Sequence, residues 1–268
     1  MVTNLLFSFL FLTSVFAAQS RVVTLTPALA EIVVDVMGGD QEIVGVTEFS
    51  DFPSSLTKKP SVGPYFKCNI EKIVSLKPTH IFASMDGNDK NQVERMKYFG
   101  LNVVVLKYDQ VSDISDMYKK IGFHLSKAEV SERLIEQMNK RYSFYKKAKD
   151  EFQVRKKKRV VIQIGASPLV VVGGKGFLSE LVDLSGVENV FKPTPKAYLK
   201  ISREEVLLKK PDKVIFLSMS SSEKEIQEIR SEWMRLGVIV TVMRGDRILR
   251  PTSRVFDGLD DFIKAANE

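Results

Sequence analysis

Cysteine and histidine are almost absent from this chain of 268 residues. The only cysteine is Cys68, and the two histidines are His80 and His124. A single cysteine excludes an intramolecular disulfide and any cysteine-rich metal site. Both histidines are expected to be structural, because His80 opens a predicted strand and His124 follows a predicted helix. We therefore predict no metal site and no resident cofactor.

The motifs of common catalytic folds are also missing. The sequence contains no Gly-x-Gly-x-x-Gly, no Walker loop, no Gly-x-Ser-x-Gly and no His-Glu-x-x-His. The Gly-rich segment 173–176 lacks the spacing of a phosphate-binding loop, and we interpret it as a turn before a helix at 177–184. We predict that the chain is not an enzyme; an exported two-lobed enzyme stays as the alternative from another class.

Long apolar runs are confined to the N-terminus. Segment 1–18 carries no charged side chain and ends in Ala17 and Ala18. It is shorter than the roughly 20 residues of a membrane-spanning helix, so we interpret it as a cleavable signal peptide. No cysteine follows the cut, and no lipid anchor is expected. The predicted location is therefore the periplasm, without lipidation.

The surface charge is moderately basic. The chain has 40 Lys and Arg residues and 33 Asp and Glu residues, which gives a net charge of +7. The densest basic run, 155–159, has no interleaved aromatic residues, which argues against a nucleic-acid site. We interpret this run as a solvated junction, and we expect a monomer with no nucleic-acid partner.

One sequence pattern occurs twice in the chain. Segment 69–82 is repeated by segment 202–216, with Ser202 in the place of Asn69. Two shorter matches fall in the same order, 21–25 with 159–163 and 99–105 with 236–242. Each copy alternates strands with helices, the pattern of a mainly parallel sheet flanked by helices. The sequence therefore predicts two similar lobes built from one duplicated unit.

Between the copies, segment 126–152 has apolar residues at steps of three or four. This spacing predicts one long helix of about 40 Å, long enough to run along both lobes. The predicted fold is α/β, with two similar lobes joined by a rigid backbone helix. The predicted bounds are 1–18 for the signal peptide, 19–124 for the first lobe, 125–154 for the connecting helix and 155–268 for the second lobe.

Large rings occur in loops where such lobes would face each other. Phe49 and Phe52 follow the predicted strand 43–46, and Tyr65 and Phe66 follow Val62-Gly-Pro. The crevice between α/β lobes, bounded by the carboxyl ends of the strands, is the expected ligand site. Rings there either form a stacking platform for a flat ligand or tuck under their own loop as a small core.

These segments resemble the helical-backbone class of metal-chelate binding proteins. The resemblance covers nearly the whole chain after residue 18 and is carried by 21–27, 45–53, 69–78, 186–191 and 201–206. It implies a class III periplasmic binding protein, the solute-binding component of an ABC importer. The Ser-Asp-Phe-Pro sequence at 50–53 is similar to the cobalamin branch. The implied ligand is therefore cobalamin or a related corrinoid, delivered to a two-fold permease in the inner membrane.

The resemblance also implies roles for individual residues. Phe49 stands where the family places a ligand-contacting Tyr, and segment 246–250 matches a binding loop of the second lobe. The implied ligand-binding residues are Phe49, Asp51, Phe52, Tyr65, Phe66, Asp246, Arg247, Ile248, Leu249 and Arg250. Glu71 and Glu204 match two exposed carboxylates that dock onto arginines of the permease. Their ordinary role would be to place negative charge in the first turn of a helix.

Several positions depart from the cobalamin branch. Tyr65 and Ser84 stand where that branch carries Trp, and Arg247 and Ile248 replace aromatic residues. Guanidinium groups pair well with carboxylate and phenolate oxygens. A cluster of arginines therefore supports a ferric siderophore as an alternative ligand: Arg244, Arg247, Arg250 and Arg254. Haem is the other alternative within the class.

Overall fold

The computed structural model describes residues 19–152, 157–219 and 221–267. The predicted signal peptide lies outside these ranges, as do residues 155 and 156 of the basic run. The first sheet contains four parallel strands in the order β2-β1-β3-β4. They are β1 (Val22–Thr24), β2 (Ile43–Gly45), β3 (His80–Ser84) and β4 (Val103–Leu106). The helices of this half are α1 (Pro27–Met37), α2 (Ile70–Ser75), α3 (Lys90–Tyr98) and α4 (Val111–His124), with a 3-10 turn at Ser54–Lys58.

The second sheet has the order β10-β9-β5-β6-β8, and β7 also pairs with β5. Its strands are β5 (Arg159–Gly165), β6 (Val170–Val172), β7 (Glu188–Asn189), β8 (Tyr198–Lys200), β9 (Lys213–Ser218) and β10 (Ile239–Arg244). The helices are α6 (Phe177–Leu184), α7 (Arg203–Leu208), α8 (Glu223–Arg235), α9 (Asp246–Leu249) and α10 (Val255–Asn267). The predicted turn at 173–176 and the helix after it are confirmed.

The second sheet is mixed rather than purely parallel. Strands β6 and β8 run antiparallel to their neighbours, whereas β5, β7, β9 and β10 are parallel. Only residues 166–169 separate β5 from β6. A parallel neighbour requires a crossover of a dozen or more residues, so this short connection forms a hairpin. The sequence prediction of a mainly parallel sheet missed this pair of strands.

The strand register confirms the duplication. In the first sheet, β1 pairs with β2 and β3, and β3 pairs with the edge strand β4. In the second sheet, β5 pairs with β7 and β9, and β9 pairs with the edge strand β10. Residues that match in the sequence also have matching partners: Val22 with His80 and Ile81 with Val103 in one sheet, Val160 with Lys213 and Val214 with Val240 in the other. The two sheets are therefore two copies of one folding unit.

The long helix between the halves is α5, Ala128–Phe152. Its 25 residues extend about 37 Å at about 1.5 Å per residue. It packs against α4 of the first half and against α6 and α10 of the second. Tyr142 donates from its hydroxyl to Glu180 of α6 at 2.8 Å, and Arg141 donates to Asp257 of α10 at 2.5 Å. One hydrophobic core accordingly continues from α1 and α4 through α5 to α6 and α10.

Among the described residues, no helix combines the length and apolar character that crossing a bilayer requires.

Candidate ligand-binding cleft

A cavity of about 430 Å³ lies between the two sheets. Its volume falls within the range of roughly 300–1,000 Å³ that is usual for small-molecule sites. The lining residues all lie in segments that follow the carboxyl end of a strand, and they come from both halves of the chain. They are Thr26, Pro27, Ala28, Phe49, Asp51, Tyr65, Asp86, Gly87, Tyr108, Met219, Leu249, Arg250 and Pro251. The cavity therefore occupies the crevice that the duplicated fold predicts.

A more open groove of about 710 Å³ lies along the outer face of α4 and α5. Most of its lining side chains are Lys, Glu, Asn or Ser, with Ile135 and Phe144 among them. Its lining residues lie within the two helices, and none lies in a loop at the carboxyl end of a strand. We therefore take the cleft between the sheets as the candidate site.

The first-lobe wall of the cleft carries exposed rings. Phe49 is 62% exposed, and its backbone lies in the left-handed region with φ of +65°. Tyr65 is also exposed, and it contacts Phe66 edge to face with ring centroids 5.5 Å apart. Phe49, Asp51 and Tyr65 line the cavity, whereas Phe52 and Phe66 do not. Phe52 instead lies beneath the guanidinium of Arg254, 3.5 Å from its ring centre.

Only part of the second-lobe segment 246–250 lines the cavity. Leu249 and Arg250 line the cavity, whereas Ile248 is fully buried in the core. Asp246 pairs with Arg254 at 3.3 Å, and Arg247 pairs with Asp261 at 3.2 Å. The reason is geometric, because Asp246–Leu249 forms the helical turn α9 and successive residues of a helix point in different directions. The sequence match predicted the segment, but not which of its side chains face the cleft.

Arg250 lines the cleft while its guanidinium binds other protein groups. The residue is 5% exposed, and Nη1 donates to Glu31 Oε1 and to Asp51 Oδ1, each at 2.7 Å. Arg250 is the only cationic residue among those that line the cavity. Because Arg247, Arg250 and Arg254 all pair with carboxylates within the protein, they do not form a free anion site in this structure.

Glu31 is an important residue that the sequence analysis missed. It lies in the middle of α1, and burial raises its pKa, while Arg250 and Arg254 act in the opposite direction. Two acidic residues, Glu31 and Asp35, interrupt an otherwise apolar helix one turn apart. Buried carboxylates need partners, so this pattern was the signal that could have revealed them.

Tyr108 also contributes to the cleft without having been predicted. It lies two residues after the end of β4 and contacts Phe177 of α6 edge to face, with ring centroids 5.9 Å apart. Burial raises the pKa of its phenol to about 12. The contact joins the first lobe to the second beside the cavity that Tyr108 lines.

Glu71 and Glu204 occupy equivalent positions in the two copies. Each is an exposed residue in the first turn of a short helix, α2 after Asn69 and α7 after Ser202. Both helices precede a parallel strand, so their first turns lie at the edge of the sheet that faces the cleft. Hydrogen bonds from the backbone and from Ser202 hold the pKa of Glu204 below its usual range.

The histidines lie away from the cleft. His80 begins β3 and is therefore at the opposite edge of the sheet, and its ring centre is 6.1 Å from that of His124. Burial lowers the pKa of His80, and the neighbouring His124 lowers it further. Helix α4 includes His124 as its last residue, whereas the sequence analysis placed this histidine after the helix. Across the described ranges, no three His, Cys, Asp or Glu side chains gather as a metal site.

Comparison with known proteins gives consistent matches over most of the chain. The "Vitamin B12-binding protein" of Yersinia pestis (strain Pestoides F) is 27% identical over 239 residues, 89% of this chain and 83% of that protein. The protein of the same name from Photorhabdus laumondii is 24% identical over 265 residues, 98% of this chain and 94% of that protein.

Solved structures show the same fold. The periplasmic vitamin B12 binding protein of Vibrio cholerae superimposes with a TM-score of 0.77 at 23% identity, covering 92% of this chain and 96% of that chain. A periplasmic heme binding protein from Pseudomonas aeruginosa gives a TM-score of 0.82 at 21% identity, covering 92% of each chain. These solved structures are class III periplasmic binding proteins, and their fold is the one that the sequence resemblance implied for this chain.

The sequence model of one family matches residues 22–232, and its description is "Periplasmic binding protein". This match covers strands of both lobes and the helix between them. The family and the structural neighbours are substrate-binding proteins, which confirms the prediction that the chain is not an enzyme. The chain belongs to the periplasmic binding protein family.

Proposed function

We propose that this protein binds cobalamin or a related corrinoid in the cleft between its lobes and delivers it to an ABC permease. The observation that carries the proposal is the composition of the cleft wall. Exposed aromatic rings line it, and its one cation is neutralised by Glu31 and Asp51. A large, flat ligand of low net charge fits such a wall better than a strongly anionic one.

The relatives support the same choice of ligand. Two curated proteins that match nearly the full chain carry the name vitamin B12-binding protein. The corrin ring is flat and bears mainly neutral amide groups, so it can stack on Phe49 and Tyr65 and accept hydrogen bonds at the rim. The single phosphate of cobalamin requires far less positive charge in the binding site than an anionic ferric siderophore does.

Haem is the second candidate, and one observation favours it. Tyr108 lies in the cleft, and tyrosine is a known axial ligand of haem iron. Burial, however, raises the pKa of Tyr108 to about 12, so the tyrosinate form is costly before iron binds. Haem also carries two propionates, and the lining residues include no unpaired cation to receive them.

Delivery would use Glu71 and Glu204. Their equivalent places on two similar lobes suit a transporter with two-fold symmetry, whose two subunits present the same surface twice. Complementary charge of this kind mainly guides encounter and orientation. We further propose that the protein acts in the periplasm after removal of residues 1–18.

The test is a set of calorimetric titrations on protein that begins at Gln19. Cyanocobalamin, haemin and a ferric hydroxamate siderophore are titrated separately under the same conditions. We expect one-to-one binding of cyanocobalamin, with much weaker binding of the other two. Preferential binding of haemin, with a Soret band in the purified complex, would replace the proposal by the second candidate.

A further inference from the structure

A buried carboxylate of the first lobe is held by the second lobe. Glu31 of α1 is only 2% exposed. Oε1 accepts a hydrogen bond from Arg250 at 2.7 Å, and Oε2 accepts one from Thr252 at 3.2 Å. The guanidinium of Arg254 lies 3.1 Å from Oε2 as an ion pair. Both oxygens of Glu31 therefore bind residues that are more than 200 positions away in the chain.

The same helix makes a second connection one turn further on. Asp35 accepts hydrogen bonds from Ser253 Oγ at 2.9 Å and from the hydroxyl of Tyr118. The backbone N–H of Ser253 donates in turn to the Tyr118 hydroxyl at 3.0 Å. We call this set the inter-lobe clamp: Glu31 and Asp35 with Arg250, Thr252, Ser253 and Arg254.

The clamp reaches the cleft through Arg250. While Nη1 of Arg250 binds Glu31 and Asp51, Nη2 donates to the backbone carbonyl of Phe49 at 3.1 Å. Phe49 has φ of +65°, a region that residues other than glycine occupy rarely and only where their surroundings hold them there. The hydrogen bond from the opposite lobe fastens the carbonyl of this residue, whose ring projects from the cleft wall.

We propose that Arg250 is a positioning residue: from the second lobe it holds the first-lobe loop at Phe49 in the conformation that presents the ring to the ligand. Lysine cannot replace it, because one ammonium group lacks the planar fork that reaches two carboxylates and a carbonyl together. The effect on ligand affinity rests on the proposed function. The effect on the loop does not, so the two are tested separately.

The first test needs no ligand. The amides of Glu48 and Ser50 donate to backbone carbonyls at 3.1 and 3.4 Å, so their hydrogen exchange reports on the order of the loop. We expect these amides to exchange faster in Arg250→Lys, while those of α5 keep their protection. Arg141→Lys is the matched control, because Arg141 also pairs with two carboxylates, Asp257 and Asp260, outside the cleft. Unchanged exchange at Glu48 and Ser50 in folded Arg250→Lys would overturn the proposal.

The second test is a double-mutant cycle with cyanocobalamin. If Arg250 acts through the Phe49 ring, Arg250→Lys weakens binding about tenfold in the wild-type background, the loss expected for one charged hydrogen bond. In a Phe49→Ala background it should change Kd less than about twofold, since coupled residues are not additive. An equal loss in both backgrounds would mean that Arg250 acts through general stability and would reject the positioning role.

Two further arms keep the tests decisive. If Arg250→Lys does not fold, Asp51→Asn removes one partner of the same guanidinium at an exposed position, and unchanged exchange at Glu48 and Ser50 in that variant contradicts the proposal. If wild-type protein does not bind cyanocobalamin, the proposed ligand is wrong. The exchange experiment then decides the role of Arg250 alone.

Discussion

Phe49 is exposed in the cleft although its ring is strongly apolar. Its backbone conformation, the hydrogen bond at its carbonyl and its place on the cavity wall all keep the ring away from the core. Phe52, three positions later in the chain, shows the alternative, because its ring is covered by Arg254. The loop thus divides its rings between the cleft wall and local packing.

Replacing Phe49 by alanine should weaken cyanocobalamin binding by about 1–3 kcal/mol, the contribution typical of an aromatic ring on which a flat ligand stacks. Calorimetry measures the change in Kd. Phe144→Ala is a suitable control, because that ring is 66% exposed but lies on the outer face of α5. Identical affinities for wild type and Phe49→Ala would mean that the ring does not touch the ligand.

Cys68 should be chemically inert in the folded protein. Burial raises the pKa of its thiol to about 11, so almost none of the reactive thiolate is present at pH 8. We expect very slow labelling by a thiol reagent at pH 8 and complete labelling in denaturant, followed by mass spectrometry. Raising the pH toward 11 should speed native labelling. Fast labelling at pH 8 in a protein that remains folded would show that the site is open.

The connections between elements repeat as faithfully as the strands do. The turn after α2 places Lys77 in the left-handed region with φ of +48°, and the turn after α7 places Lys210 there with φ of +49°. The carbonyl of Lys77 accepts a hydrogen bond from Arg21, the residue just before β1. The carbonyl of Lys210 accepts one from Arg159, the first residue of β5. The same local geometry is therefore stabilised by the same kind of contact in both lobes.

Lys77→Gly and Lys210→Gly should each stabilise the protein by about 0.5–1 kcal/mol. Glycine relieves the left-handed conformation, and part of this gain is offset by its greater freedom in the unfolded chain. Urea denaturation of the single variants measures the effect. Lys77→Ala and Lys210→Ala keep the Cβ and should change stability much less. A destabilised glycine variant in either turn would contradict the argument for that turn.

At the scale of the whole molecule, several sets of contacts among the described residues join the lobes. Helix α5 packs on both, the inter-lobe clamp crosses between them, and Tyr108 meets Phe177 beside the cleft. Removing one partner of a buried pair such as Glu31 with Arg250 typically costs about 3–5 kcal/mol, because the other charge stays buried and unpaired. Large opening and closing motions would break this pair together with the packing on α5, so the lobes should keep their relative orientation.

Small-angle X-ray scattering should therefore show little change in the radius of gyration when ligand binds. Proteins whose lobes are joined by flexible strands close by hinge motion, whereas here a helix and buried ion pairs resist it. The measurement compares ligand-free protein with protein saturated by cyanocobalamin. A clear decrease in the radius of gyration on binding would contradict the rigid connection.

The double variant Glu71→Arg and Glu204→Arg should lose transport but keep solution affinity, because neither residue lines the cavity. Uptake of labelled cobalamin measures the first effect and calorimetry the second. Glu129→Arg provides a control, since Glu129 is another exposed acidic residue in the first turn of a helix. Normal uptake by the double variant would remove the docking role from these residues.

Much of the architecture was predictable because it depends on local pattern. The repeat of 69–82 at 202–216 predicted equivalent helices and strands, and helix periodicity predicted α5. Chain positions Phe49, Asp51 and Tyr65 were predicted at the cleft, and all three line it. Strand ends and loop order follow from the chain itself, so the sequence alone determined the duplicated fold and the general position of the candidate cleft.

Tertiary structure alone decided which side chains face the cleft and which hold the lobes together. Ile248 is buried in the core and Arg250 binds Glu31, although both belong to one predicted binding segment. The partners of Glu31 lie in the other half of the chain, and no local periodicity connects them. A buried charge selects its partner by distance and orientation in space, and these exist only once both lobes have folded against α5.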